Sequence, residues 1–303
     1  MAPTPDEQSR TRTLEGVLWM LGSGLSFVAV NGIVRHLGTE LPAAQGAFIR
    51  FAFGVLFLLP MLVPLLRRGL PAGTLGLFGL RGAVHTAAVI CWFYAMARIP
   101  VAEVTAIGYL NPVLVTLGAA LFFGERLAFR RIAAILVALV GALIVLRPGL
   151  RDLAPGHLAQ LGAAAFFAGS YLFARRLSDL AGAGAIVGML SLSVTIGLLP
   201  FALLVWVPVG PVPLAWLALV AAFATLGHYC MTRAFASAPL AVTQPVTFLQ
   251  LVWATLLGAL VFSEGVDPFV LLGGAVIIGA ISFITWRESV LRRQRSSAVI
   301  QNG

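Results

Sequence analysis

Lysine is missing from this 303-residue chain, whose 20 basic residues are all arginine. That bias points to codon usage rather than to a function. Charge of either sign is scarce, at 10% of residues with only 11 acids. A soluble globule carries nearer a quarter, so that class is excluded. Cysteine occurs twice, at Cys91 and Cys230. Both lie inside apolar stretches and read as small buried hydrophobes; a disulfide framework is excluded, and a metal site would need more ligands. There is no Walker-type phosphate loop, which excludes ATP-driven work by this chain. The first 13 residues lack the basic-then-apolar order and small-residue cleavage site of a signal peptide, so the first apolar segment is expected to stay as a helix.

What the chain has is hydrophobicity: 60% of residues are hydrophobic and the mean hydropathy is +0.99. The net charge of +9 sits in short loops and tails, where it reports membrane orientation rather than nucleic-acid binding. A bilayer core about 30 Å thick takes about 20 apolar residues of helix. Ten such segments are expected, at 16–34, 43–66, 74–97, 101–123, 132–146, 157–174, 184–207, 213–236, 240–262 and 268–286. Connections of a few residues leave no room for an extramembrane domain.

The chain also repeats itself. Residues 97–125 align without a gap on 236–264 at an offset of 139, and ten of the 29 pairs are identical, among them Pro100/Pro239, Leu110/Leu249 and Glu125/Glu264. Chance would give roughly three in so apolar a composition. Cys91 pairs with Cys230, and at an offset of 140 Arg35 pairs with Arg175. Counted by alternate connections, 13 arginines lie on the side of both termini and four on the other, which puts the termini in the cytoplasm. Five helices per repeat is an odd number, so the second repeat enters the membrane inverted. The expected fold is all-α and integral to the membrane, with ten transmembrane helices as two inverted five-helix repeats around a central cavity. Its parts are a cytoplasmic tail at 1–15, repeats at 16–148 and 156–286, and a cytoplasmic tail at 287–303. Inverted halves can exchange conformations, which gives alternating access; a duplicated scaffold or anchor is the bland alternative.

The segments ArgIleProValAlaGluVal at 98–104, TyrLeuAsnProVal at 109–113, GlyGluArg at 124–126 and GlyAlaLeuIleVal at 141–145 resemble the EamA-type drug/metabolite transporters. AlaProLeuAla at 238–241 and PheSerGlu at 262–264 repeat the pattern. The resemblance spans 16–286 and implies a central cavity, no cofactor and a small-molecule substrate, while family members differ in what they move. HisLeuGlyThrGluLeuPro at 36–42 and PheIleArgPhe at 48–51 are similar to the branch that includes S-adenosylmethionine uptake carriers. The function expected is a secondary transporter of a small amphipathic metabolite, an amino acid or a derivative such as S-adenosylmethionine, in a bacterial inner membrane. Alternatives are an exporter of drugs or other metabolites, a riboflavin-type vitamin carrier, a passive channel, or an integral-membrane enzyme acting on lipid. Its surroundings are lipid, with no nucleic acid, and the chain is a monomer or a homodimer.

Ionisable residues inside spans are costly and face protein or water. Arg50, Arg81, His85, His228 and Arg233 are of this kind. Arg50 can grip a substrate carboxylate or phosphate with its planar fork, or pair with Glu103 or a carbonyl; left uncompensated, it counts against a cationic substrate. His85, His228 and Glu103 are the candidates for proton coupling, because histidine titrates near neutrality and Glu103 is the one acid that can reach a cavity mouth. The bland reading is a hydrogen-bonded histidine between helices. Pro112 and Pro245 each remove a helical N–H and crowd a carbonyl four residues back. The kinks face either the substrate path, with Tyr109, Asn111, Gln244, Thr247 and Gln250, or a packed neighbour. Asn31, Trp92, Tyr171 and Trp253 complete the candidate lining. The repeated Glu125 and Glu264 are expected to anchor loops or pair with arginine, and the glycines of the first, sixth and tenth spans to serve close packing.

Overall fold

A computed structural model describes residues 5–124, 129–150, 152–238 and 240–301, with backbone alone for 5–11, 183, 240, 241, 244 and 288–301. Twelve helices occupy the described residues: α1 Pro5–Leu37, α2 Ala43–Arg68, α3 Leu75–Met96, α4 Val101–Gly108, α5 Asn111–Phe123, α6 Phe129–Leu146, α7 Pro155–Ser178, α8 Ala183–Leu204, α9 Pro211–Ser237, α10 Leu240–Thr247, α11 Leu249–Val261 and α12 Pro268–Gln301. Proline marks several beginnings, at Pro42, Pro100, Pro155, Pro211 and Pro268, where its missing N–H has no helical partner to lose.

Eight of these stretches are long and apolar enough to cross a membrane. Two of the ten expected spans fall outside that set for physical reasons. In α7, His157, Gln160, Arg175 and Arg176 dilute the apolar run. The stretch expected at 240–262 is broken into α10 and α11, leaving a shorter apolar piece at Pro245–Val261. The stretches expected as tails at 1–15 and 287–303 are helical where described: α1 starts at Pro5 and α12 runs on to Gln301. Both extensions are rich in Arg, Glu and Gln, good helix formers that let a helix continue past its apolar stretch.

The break between α4 and α5 and the break between α10 and α11 fall at matching places, since α4 and α10 coincide at the offset of 139. The prolines do not match. Pro112 lies just after the first break and Pro245 just before the second. Tyr109 supplies part of the compensation: its hydroxyl reaches across to the Thr247 and Phe248 carbonyls, 3.4 Å from each.

Helix packing is reciprocal. α1 lies on α9 and α3 on α7, α11 on α1 and α5 on α7, and α2 packs on α8 as α6 does on α12. Single glycine contacts follow the same exchange. A Cβ on Gly22 would meet the Cys230 sulfur at 3.6 Å, and one on Gly162 would meet the Cys91 sulfur at 3.7 Å. Gly16 is pressed against Ala238 as Gly156 is against Ile99, and Gly32 receives Leu257 as Gly118 receives Leu172. In the last pair the glycine and the leucine have traded repeats. The close approach of α6 and α12 rests on Gly141 and Gly273, each against the other's carbonyl, so these glycines act in packing. Outside the bundle the surface is apolar: the repeat-related Leu121 and Leu260 are 72% and 80% exposed, as lipid-facing residues are.

Candidate functional site

Four cationic or titratable side chains converge in the interior. Arg50 on α2, Arg81 and His85 on α3, and His228 on α9 lie within Coulombic range of one another through His85. Arg50 also reaches His228. Rings hold them in place. The Arg50 guanidinium sits 4.0 Å from the centre of the Phe51 ring, and His85 is edge-on to Phe51 and Phe167. His228 is edge-on to Phe27 at 5.1 Å, as His85 is to Phe167 at 5.0 Å. Phe27 and Phe167 are repeat-related at an offset of 140, so each histidine leans on the same ring position although the two histidines are a turn apart in the alignment.

Second contacts separate the four. His85 Nδ1 lies 3.0 Å from Ser170 Oγ on α7, and Arg81 donates to the Ile186 carbonyl at 2.9 Å, leaving its buried Nε without an acceptor. Arg50 has no hydrogen-bond acceptor among the described residues; the Phe51 ring is its contact. His228 is exposed and Arg50 and His85 are half-buried, although all three lie deep among helices, so they face an internal crevice. Tyr171 on α7, close to Arg81, and Tyr229 on α9, edge-on to Trp19 at 5.9 Å, are half exposed.

The remaining sequence candidates scatter. Tyr109 spans the α10/α11 break, and Asn111 donates to the Ala164 carbonyl at 3.5 Å. Gln250, its repeat counterpart, lies against Gly24, the counterpart of Ala164. The two positions therefore make equivalent contacts despite the change from Asn-Pro to Gln-Leu. Trp92 packs edge-on to Phe93, while Asn31, Thr247 and Trp253 are half-buried. The side chain of Gln244 lies outside the described residues, as do Glu125 and Pro239.

Glu103 does not pair with Arg50. It meets His157 Nε2 at 2.6 Å, with both side chains 6% exposed, and so joins α4 to α7. This is one of a set of polar bridges at the end where α1 finishes and α2 begins. Glu264 ion-pairs with Arg35 at 2.8 Å and accepts the Val101 N–H at 2.9 Å. Arg147 pairs with Asp267, and Gln45 exchanges two hydrogen bonds with the Val207 backbone. At the opposite end Glu15 meets Arg233 at 3.4 Å, both 44% exposed. The sequence expected Glu264 to anchor a loop or pair with an arginine but did not say which arginine. Its real partner lies 229 positions earlier, because Ser263, in the left-handed region at φ 54°, turns the chain back. His157 and Gln45 were not singled out; a polar residue opening an otherwise apolar helix was the available signal. A hollow of about 330 Å³ between Leu41, Phe93 and Leu217 is lined by none of the four residues of the cationic cluster.

A bundle of apolar, lipid-facing helices with a cationic cluster in its interior defines a multi-pass membrane protein. The chain belongs to the EamA-like transporter family, whose model matches it twice, at residues 14–147 and 154–286. It is 30% identical to the riboflavin transporter of Vibrio cholerae over 94% of this chain and 98% of that one. It is 29% identical to the pseudopaline exporter CntI of Pseudomonas aeruginosa, covering 88% and 94%, and 26% identical to the S-adenosylmethionine uptake transporter of Rickettsia prowazekii, covering 91% and 94%. A solved crystal structure 20% identical in sequence shares the fold at a TM-score of 0.56, over 93% of this chain and 99% of its own. Family and relatives are transporters.

Proposed function

We propose that this chain is a ten-span secondary transporter of a bacterial cytoplasmic membrane, built as two inverted repeats at 16–148 and 156–286, with both termini in the cytoplasm. It moves a small amphipathic metabolite by alternating access. The observation that carries this reading is the reciprocity of contact: α1 on α9 matches α7 on α3, down to the Gly22/Cys230 and Gly162/Cys91 pairs. Halves that exchange roles this way have two equivalent arrangements, each closed at one end. The polar bridges around Glu264, Asp267, Glu103 and Gln45 all lie at one end, so this conformation is the one closed there.

The substrates to test are those the relatives' names give, riboflavin, pseudopaline and S-adenosylmethionine, together with amino acids. Counterflow into proteoliposomes preloaded with each unlabelled solute is the experiment. Uptake of the labelled solute that exceeds equilibrium transiently is the expected result for at least one; no exchange by folded protein for any of them contradicts a carrier of these classes. His85 and His228 line the crevice and are the proposed coupling groups, with Glu103 as the third candidate at the bridged end. Replacing either histidine by glutamine should flatten the pH dependence of counterflow, and an unaltered profile removes that residue from the coupling.

A further inference from the structure

We infer that the crevice takes the oxyanion of its substrate, a carboxylate or phosphate group, on Arg50 with His228 and His85 beside it. The inference rests on the transporter reading and names the substrate class for it.

The charge balance is one-sided. The acids with described side-chain partners are engaged elsewhere: Glu15 with Arg233, Glu103 with His157, Glu264 with Arg35 and Asp267 with Arg147. No described carboxylate acts electrostatically on Arg50, His85 or His228. An arginine inside a span is costly and is kept where a counter-charge or water meets it. Arg81 already has a carbonyl partner; among the described residues Arg50 has only an aromatic face, with no acceptor for its N–H donors. A guanidinium whose donors are not taken by the protein can grip a carboxylate or phosphate with two parallel hydrogen bonds. His228, exposed and edge-on to Phe27 within Coulombic range of Arg50, adds a second donor group. A sulfonium or ammonium ion would meet two guanidiniums of its own sign, Arg50 and Arg81.

The test needs no known substrate. Purified protein in nanodiscs is melted alone and with citrate, L-glutamate or inorganic phosphate, against choline chloride at equal ionic strength. A ligand that binds only the folded protein raises Tm saturably. The expected result is such a rise with a carboxylate or with phosphate, retained in Arg233→Gln and abolished in Arg50→Gln, and the better anion tells which oxyanion fits. Because Arg50 has no acceptor among the described residues, Arg50→Gln should melt at the same temperature as the parent or higher in the absence of anions. A lower Tm or a failure to fold shows that its charge is paired structurally and overturns the inference. So does protection by no anion, or equal protection of Arg50→Gln. If S-adenosylmethionine counterflow is found and survives Arg50→Gln, the transporter reading stands and this one falls; anion protection without counterflow of any solute gives the reverse.

Discussion

At Gly118 a missing side chain makes room for Leu172, and at Gly32 the same room is made for Leu257. The helices approach because one partner of each pair has no Cβ, so filling the gap should push them apart. Gly118→Leu is expected to destabilise the protein by about 1–3 kcal/mol through overpacking. Adding Leu172→Ala should return at least half of that loss, because the two residues share one contact. Melting of the single and double variants in nanodiscs reads this, and strictly additive losses would show that the pair does not meet. At this scale the sequence was informative about residue type and silent about partner. Glycine-rich stretches announced close packing. That Cys91 rests on Gly162 could not be read, since the contact joins residues 71 positions apart on different helices.

The broken helices show what lipid demands of a backbone. A backbone carbonyl with spare acceptor capacity in hydrocarbon finds no water there and is satisfied by a donor from the protein. Tyr109, placed at the α4/α5 break, leans over to supply one at the matching α10/α11 break. Tyr109→Phe keeps the ring and its edge-on contact with Phe248 but loses the hydroxyl. The expected cost is about 1 kcal/mol, with faster amide hydrogen exchange confined to the residues around Phe248. Unchanged exchange there would mean that the carbonyls are satisfied without Tyr109. The breaks were partly legible: Pro112 and Pro245 flagged both helices, but their unmatched positions hid that the chain breaks at the same register in each. The bridges at the Arg35 end were less legible still. Arg35, Glu264 and Val101 come together only when α1, α4 and α11 are assembled, and nothing local to any one of them names the others.

For the molecule as a whole, the constant offset near 139 carried most of the architecture. Because α1, α4 and α7 each meet helices of the other half, neither repeat has a packed interior of its own, and the site lies where the two interlock. The cationic character of that site was visible in the sequence as Arg50, Arg81, His85 and His228. Its lack of a carboxylate among the described residues was not, because Glu103 stood ready as a partner until the fold gave it to His157.

Inversion is the claim on which alternating access depends, and it has a direct readout. Thr39 and Asp179 are related by the offset of 140, and both are exposed just beyond the ends of equivalent helices, α1 and α7. In a chain with Cys91 and Cys230 replaced by alanine, Thr39→Cys and Asp179→Cys are each offered a membrane-impermeant maleimide on intact cells and again after permeabilisation. Inverted repeats predict that Thr39→Cys reacts from outside the intact cell and that Asp179→Cys reacts only once the membrane is opened. Labelling of both from the same side would contradict the account.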